Sequence, residues 1–158
     1  MDRKIKIIVV SDNHGFVRPL EKITERCQDA DYFFHLGDSE LPKQMLKGFA
    51  CVRGNQDYDP ELPMRLRLTI GSHHILLTHG HHELFMGSTA GLVQRAKEAD
   101  CDIVCFGHTH VYTDKTVRGV RLLNPGSIWH CRDATPPCYM VLELDGSEVY
   151  AERVNYTE

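Results

Sequence analysis

A chain of 158 residues with 42% hydrophobic and 25% charged side chains has the length and composition of one globular domain with its own core. Its formal charge of −4 argues against strong nucleic-acid binding or attachment to an anionic membrane, since both draw on an excess of Lys and Arg. The six cysteines, Cys27, Cys51, Cys101, Cys105, Cys131 and Cys138, form no CxxC pair and mostly sit inside apolar runs. They read as reduced, buried thiols rather than as disulfides or a zinc ligand set.

The pattern along the first two thirds alternates strand and helix. A β-branched strand runs over Lys4 to Val10. No long apolar run or small-residue cleavage site precedes it, so the expectation is a cytoplasmic protein with no membrane span. The polar loop Ser11-Asp12-Asn13-His14-Gly15 follows, then Leu20, Ile23 and Cys27 at helical spacing. Tyr32 to Leu36 reads as a second strand closed by Gly37-Asp38, and Ser39 as the N-cap of a short helix through Lys47 with Pro42 near its first turn. Phe49 to Arg53 is a third strand, ending at Gly54-Asn55-Gln56-Asp57.

Leu66 to Ile70 and Ile75 to Thr78 form an expected hairpin turning at Gly71-Ser72, followed by a helix from about Ser88 to Ala99. Ile103 to Phe106 is a buried strand running into Gly107-His108-Thr109-His110. Short strands then follow at Asp114 to Val117, Val120 to Leu123, Tyr139 to Leu144 and Val149 to Val154, with turns at Gly119, Asn124-Pro125-Gly126 and Asp145-Gly146. Helix-crossed strands followed by hairpins predict a mixed sheet packed on a second sheet with helices outside.

One regularity points to chemistry. Polar clusters recur where the expected strands end: Asp12/His14, Asp38, Asn55/Asp57, His79/His81 and His108/His110. Open α/β sheets bind ligands beyond the carboxyl ends of their strands, so five such clusters converge on one crevice. Asp, Asn and His without Cys form an oxygen and nitrogen donor set suited to Mn, Fe, Zn or Ni. Glycines beside the clusters (Gly15, Gly37, Gly54, Gly80 and Gly107) allow tight turns. His35, His73, His74 and His130 read as ordinary core or surface residues.

The ordered set Asp12-Asn13-His14, Gly37-Asp38, Gly54-Asn55-Gln56-Asp57, Thr78-His79-Gly80-His81 and Gly107-His108-Thr109-His110 resembles the calcineurin-like metallophosphoesterases, most of all their small single-domain bacterial and archaeal phosphodiesterases. The resemblance runs from the first strand to about Ser127. It implies a four-layer α/β/β/α sandwich of two mixed sheets flanked by helices, formed by residues 1–158 as one domain. It also implies two divalent metal ions, manganese first among them. Asp12, His14 and His110 would hold one ion, Asn55, His79 and His108 the other, and Asp38 would bridge them. Asn124 to Ser127 resembles a supporting turn.

The implied activity is hydrolysis of small phosphodiesters by a hydroxide carried between the ions. A phosphomonoesterase with the same site, and a non-catalytic interaction scaffold of the same fold, are the alternatives. Asn55 and His81 are the expected catalytic donors to the phosphoryl oxygens, and Asp57 the expected orienting group behind a histidine ligand, with a capping residue as the alternative. Larger members carry a His after the Asn of this motif as proton donor to the leaving group, whereas this chain has Gln56, which cannot transfer a proton. His81, His82 or a water are the substitutes. Homo-oligomerisation is a further expectation from the resemblance, with Leu84-Phe85-Met86 either a contact patch or a buried staple.

Overall fold

The apolar run Ile5–Val10 forms a strand buried almost throughout, as expected for the middle of a sheet covered on both faces. In the computed structural model, which describes residues 3–158, the chain continues as β1 (Ile5–Val10), α1 (Val17–Arg26), β2 (Tyr32–His35), a 3-10 turn (Lys43–Leu46), β3 (Phe49–Cys51), β4 (Arg65–Ile70) and β5 (His73–Thr78). It then runs through α2 (Ala90–Glu98), β6 (Ile103–Phe106), β7 (Thr113–Val117), β8 (Val120–Asn124), β9 (Cys138–Asp145) and β10 (Glu148–Asn155). No described helix is long and apolar enough to cross a membrane.

Two five-stranded mixed sheets result, ordered β10-β9-β1-β2-β3 and β4-β5-β6-β8-β7. In the first, β1, β2 and β3 are parallel while β9 and β10 pair antiparallel. In the second, β5, β6 and β8 are parallel, with β4 and β7 antiparallel at the edges.

Strand alternation sorts the side chains into three apolar layers. Ile7, Val9, Phe34 and Leu36 of the first sheet meet Ile75, Leu77, Ile103, Cys105 and Leu123 of the second between the sheets. Ile8 and Val10, on the opposite face, pack against Leu20, Ile23 and Cys27 of α1. Leu76, Val104 and Leu122 pack against Leu92, Val93 and Ala96 of α2. This is the expected α/β/β/α sandwich. Cys101 lies in the α2 layer and Cys105 between the sheets, so the two point apart. All six cysteines are free and buried.

Two local expectations need correction. The helix placed after Ser39 shrinks to the 3-10 turn Lys43–Leu46, with Pro42 at its N-cap. Asp38 and Glu40 have φ of 55° and 54°, a left-handed conformation from which no right-handed helix starts, and the Ser39 hydroxyl is instead spent on the Leu41 amide. The helix expected from Ser88 begins at Ala90 because Ser88 forms a bridge with Phe85. In the run before it, Leu84 is packed against the α2 layer while Phe85 and Met86 are exposed.

His35, read from sequence as ordinary, is the buried keystone of the loop after β1. The Gly37 amide donates to its Nδ1 at 3.1 Å, so Nε2 carries the proton and donates to Asn13 Oδ1 at 2.8 Å. The Asn13 amide then donates to the Phe16 carbonyl at 3.0 Å. Complete burial outweighs the neighbouring carboxylates and pushes the His35 pKa down to about 4.

The folded protein therefore binds fewer protons than the unfolded chain between the ordinary histidine pKa and about 4, and stability falls as pH drops through that window. Metal-free protein is expected to lose on the order of 2–3 kcal/mol from this group between pH 6.5 and 4. Urea midpoints across that range should fall more steeply for the wild type than for His35→Gln; equal slopes would refute the assignment.

Candidate metal centre

Five parallel strands, three from one sheet and two from the other, end along one edge of the sandwich. Just past those ends lie Asp12 and His14 after β1, Asp38 after β2, Asn55 after β3, His79 after β5, and His108 and His110 after β6. The chain leaves the strands by abrupt reversals. Asp12, His14, Asp38, His108 and His110 all have φ between 47° and 72°, a region non-glycine residues rarely occupy and one that tends to mark functional loops.

The turns interlock closely. A Cβ on Gly54 would lie 2.1 Å from Asp38 Oδ1, and one on Gly37 would lie 2.7 Å from His79 Nδ1. Glycine is what lets these three loops touch.

Asp12 is fully buried, with a lopsided set of partners. Its Oδ2 accepts from the Ser11 hydroxyl at 2.5 Å and from the His108 amide at 3.2 Å. Its Oδ1 has no hydrogen-bond partner although it is inaccessible to water. Around that oxygen stand His110 Nε2 at 3.3 Å and His14 Nε2 and His79 Nε2, each at 3.9 Å. His79 Nε2 also lies 3.3 Å from Asp38 Oδ2.

The far nitrogens of these rings are already committed. His79 Nδ1 donates to the Leu36 carbonyl at 2.7 Å, and His110 Nδ1 to the His130 carbonyl at 2.9 Å. His14 Nδ1 is held by Glu40 Oε2 at 2.7 Å. Protons placed on Nδ1 leave lone pairs on Nε2, and the Nε2 atoms of His14 and His110 face each other at 3.1 Å. Lone pairs at that distance beside a buried carboxylate oxygen repel one another, and a cation resolves the conflict. Rings backed by a carbonyl or carboxylate are also the usual arrangement of metal-binding histidines.

The field has the same sign. Burial acts to raise Asp12 and Asp38, yet the neighbouring imidazoles win and carry both pKa values down, Asp38 to about 2. Burial acts to lower His79, yet Asp38 and Asp12 raise it. The pocket favours positive charge.

Two overlapping groups can hold metal ions, Asp12/His14/His110 and Asp12/Asp38/His79. Asp12 is the carboxylate common to both, whereas the sequence resemblance gives the bridging role to Asp38. His108 and Asn55 flank the second group: His108 Nδ1 is 3.1 Å from Asn55 Oδ1, and the His108 ring lies 5.1 Å from that of His79. All seven residues named from the sequence thus line one crevice.

Of the other two site residues, Asp57 takes a place different from the one expected, and His81 stands where a donor was expected. Among the described residues no histidine donates a hydrogen bond to Asp57. Its carboxylate accepts from the amides of Asp38, Glu40 and Gly54 at 2.7–2.8 Å, which ties the Asp38 and Asn55 loops together. Being three residues past Gly54, it sits under its own turn, with its oxygens taken up by backbone amides. His81 lies beside the centre, with its ring 5.4 Å from His79 and 4.1 Å from His82. Burial, then the neighbouring rings, push its pKa down to about 4, so at neutral pH it offers a hydrogen bond rather than a proton.

Sequence reasoning missed Glu40 and the carbonyls of Leu36 and His130, whereas Ser127, in the turn read as supporting, donates its hydroxyl to the Asp12 carbonyl at 2.8 Å. A carbonyl leaves no trace in sequence. Glu40, an acidic residue two places after Asp38, was the one visible signal. A cavity of about 420 Å³ opens beside His108 between Leu84, Met86, Phe106 and Arg132. A larger one, about 550 Å³, lies between Ile5, Tyr32, His73 and Leu144 at the opposite ends of β1 and β5, far from the loops that carry the ligands.

Residues 5–147 match the model of the calcineurin-like phosphoesterase superfamily domain. The chain belongs to that family. Phosphoester hydrolysis supported by divalent metal is the chemistry the membership brings. The Bacillus subtilis protein YsnB, named a probable metallophosphoesterase, is 35% identical over 144 residues, covering 89% of this chain and 85% of its own. A Streptococcus pneumoniae protein described as a predicted phosphoesterase superposes with a TM-score of 0.91 at 33% identity, over 98% of this chain and 91% of the other. An archaeal phosphodiesterase shares the fold at 22% identity, with a TM-score of 0.68 over 95% of this chain and all of its own.

The His14–Glu40 contact allows a direct check. Glu40→Gln keeps the shape but removes the charge behind the ring, and metal affinity is expected to fall about 10- to 100-fold. Competition with a chromogenic chelator measures this; an unchanged affinity would mean that the carboxylate does not support the ligand.

Proposed function

We propose that this phosphoesterase is a dinuclear-metal phosphodiesterase acting on small diesters. The observation that carries the reading is the buried, unpartnered Asp12 Oδ1, shared by two donor groups and ringed by imidazole lone pairs. Bound there, two divalent cations would clamp a phosphoryl group and acidify a water. An oxygen and nitrogen donor set without sulfur supports Mn²⁺, with Fe, Zn or Ni as alternatives.

The chain's own groups supply the rest. The side chain of Asn55 is exposed, with its carbonyl toward His108, so its NH₂ is free to donate to a phosphoryl oxygen. His81, neutral beside the crevice, offers a second donor of the preorganised kind that stabilises developing charge. A diester rather than a monoester is supported by the shape of the surroundings. The crevice has a cavity on its His108 side and an exposed aromatic pair, Phe16 and Trp129, on its His14 side, and thus room for two ester arms.

Gln56 is held by its backbone amide on Asp38 Oδ1 at 2.9 Å, and its side chain has no proton to give. Neither Gln56 nor the neutral His81 supplies a proton, so in this reading the leaving group departs without protonation by either.

Metal-stripped protein given Mn²⁺ should hydrolyse bis-p-nitrophenyl phosphate faster than p-nitrophenyl phosphate, and Asp38→Ala should reduce both to background. Stoichiometric metal binding with no turnover under any divalent cation would remove the enzyme reading in favour of an interaction scaffold. Across a series of methyl aryl phosphates, the rate should drop by about 10²-fold or more on replacing p-nitrophenol with phenol, because a missing general acid is typically worth 10²- to 10⁴-fold. A shallow dependence would reveal an acid elsewhere in the site.

A further inference from the structure

Large aromatic side chains half open to solvent call for a reason when they cluster. Phe16 and Trp129 are 51% and 45% exposed, and they stack on each other with ring centroids 5.9 Å apart and an interplanar angle of 19°. They come from distant parts of the chain. Phe16 follows the loop that bears Asp12 and His14, and Trp129 follows the turn after β8. The indole also lies 5.3 Å from the ring of His14. The pair is therefore one side chain away from the metal centre, beside His14.

Its backbone is held by the same bonds that hold the centre. The Phe16 amide donates to the Asn13 carbonyl at 3.1 Å, and the Asn13 side chain returns a bond to the Phe16 carbonyl. The Trp129 amide donates to Ser127 Oγ at 3.1 Å, and that hydroxyl donates to the Asp12 carbonyl. The aromatic surface is thus fixed in register with the Asp12–His14 loop. A rigid surface of this kind binds without an ordering cost of its own.

Such a surface selects by ring. Flat aromatic and heteroaromatic groups stack on Trp and Phe with little regard for sequence or substituent, because every base has a π face. Aliphatic ester arms gain much less there.

We infer that Phe16 and Trp129 form a stacking shelf that selects phosphodiesters whose ester arm on the His14 side carries a flat ring, as a nucleotide does. The inference rests on the phosphodiesterase reading for what sits at the metals, but the shelf has its own readout. Trp129 is the one tryptophan in the chain, so indole emission reports this surface alone.

The test compares adenosine 5′-monophosphate with ribose 5-phosphate, which keeps the sugar and phosphate and lacks the base. With Mn²⁺-loaded protein, the nucleotide should quench or shift Trp129 emission and bind about 5- to 100-fold more tightly than the sugar phosphate. The same ratio should appear in competitive inhibition of bis-p-nitrophenyl phosphate hydrolysis. Trp129→Ala should bring the ratio close to one, and Trp129→Phe should restore part of it, in variants whose melting curves match the wild type. If a variant fails to fold, the wild-type emission titration decides alone.

Equal affinity for the two ligands, or emission unchanged at saturating nucleotide, would overturn the shelf. In that case metal-dependent diester hydrolysis would stand or fall separately, on the activity assay.

Discussion

A carboxylate buried without water must be compensated, and nearly everything at the rim of this sandwich serves the compensation of Asp12. One of its oxygens is satisfied by Ser11 and by the backbone of the His108 loop; the other is left to the imidazoles. Unpaired buried charge is among the most expensive things a protein can contain. The three rings around that oxygen present lone pairs, because each has its other nitrogen fastened elsewhere. The imidazoles offset part of the Asp12 charge, and a bound cation is what the arrangement is shaped around.

Holding that arrangement places heavy demands on the backbone. Residues at i and i+2 adopt left-handed conformations at Asp12 and His14, at Asp38 and Glu40, and at His108 and His110. Each such residue is held against its own preference, of order 1–3 kcal/mol in unfavourable cases. The restraining bonds are correspondingly dense. Asp57 gathers three amides from two loops, Asn13 and His35 brace the loop after β1, and Ser127 clasps the Asp12 carbonyl. Polar groups with no role in holding a ligand are what keep the ligands in place.

Much of this was legible in the chain before any coordinates. The strand ends were visible because aliphatic runs such as Ile5–Val10 and Ile103–Phe106 stop abruptly at polar residues, and donor residues recurred at every such stop. The sandwich followed from the change of pattern after His110. What escaped reading were interactions without local signature. Asp57 looked like a partner for a ring and proved to be a knot between loops, since its register within a turn decides what it can touch. His35 looked ordinary because its neighbours Asn13 and Gly37 meet it only in the fold. The helix expected after Ser39 failed for a related reason: the ligand loop imposes positive φ on Asp38 and Glu40, and that demand overrides a favourable capping sequence.

The division of labour between the sheets carries one more consequence. The first sheet delivers both buried carboxylates, with His14 and Asn55, whereas His79, His108 and His110 come from the second. No strand runs across the gap between them. Its width is set by the branched and aromatic side chains of the central layer, Ile7, Val9, Phe34, Leu36, Ile75, Leu77 and their neighbours, in an interior that transmits rather than absorbs changes of volume. Aliphatic bulk in the core thus acts as a calliper for the crevice: a methylene gained or lost well away from the donors would change how far apart the donors of the two sheets stand.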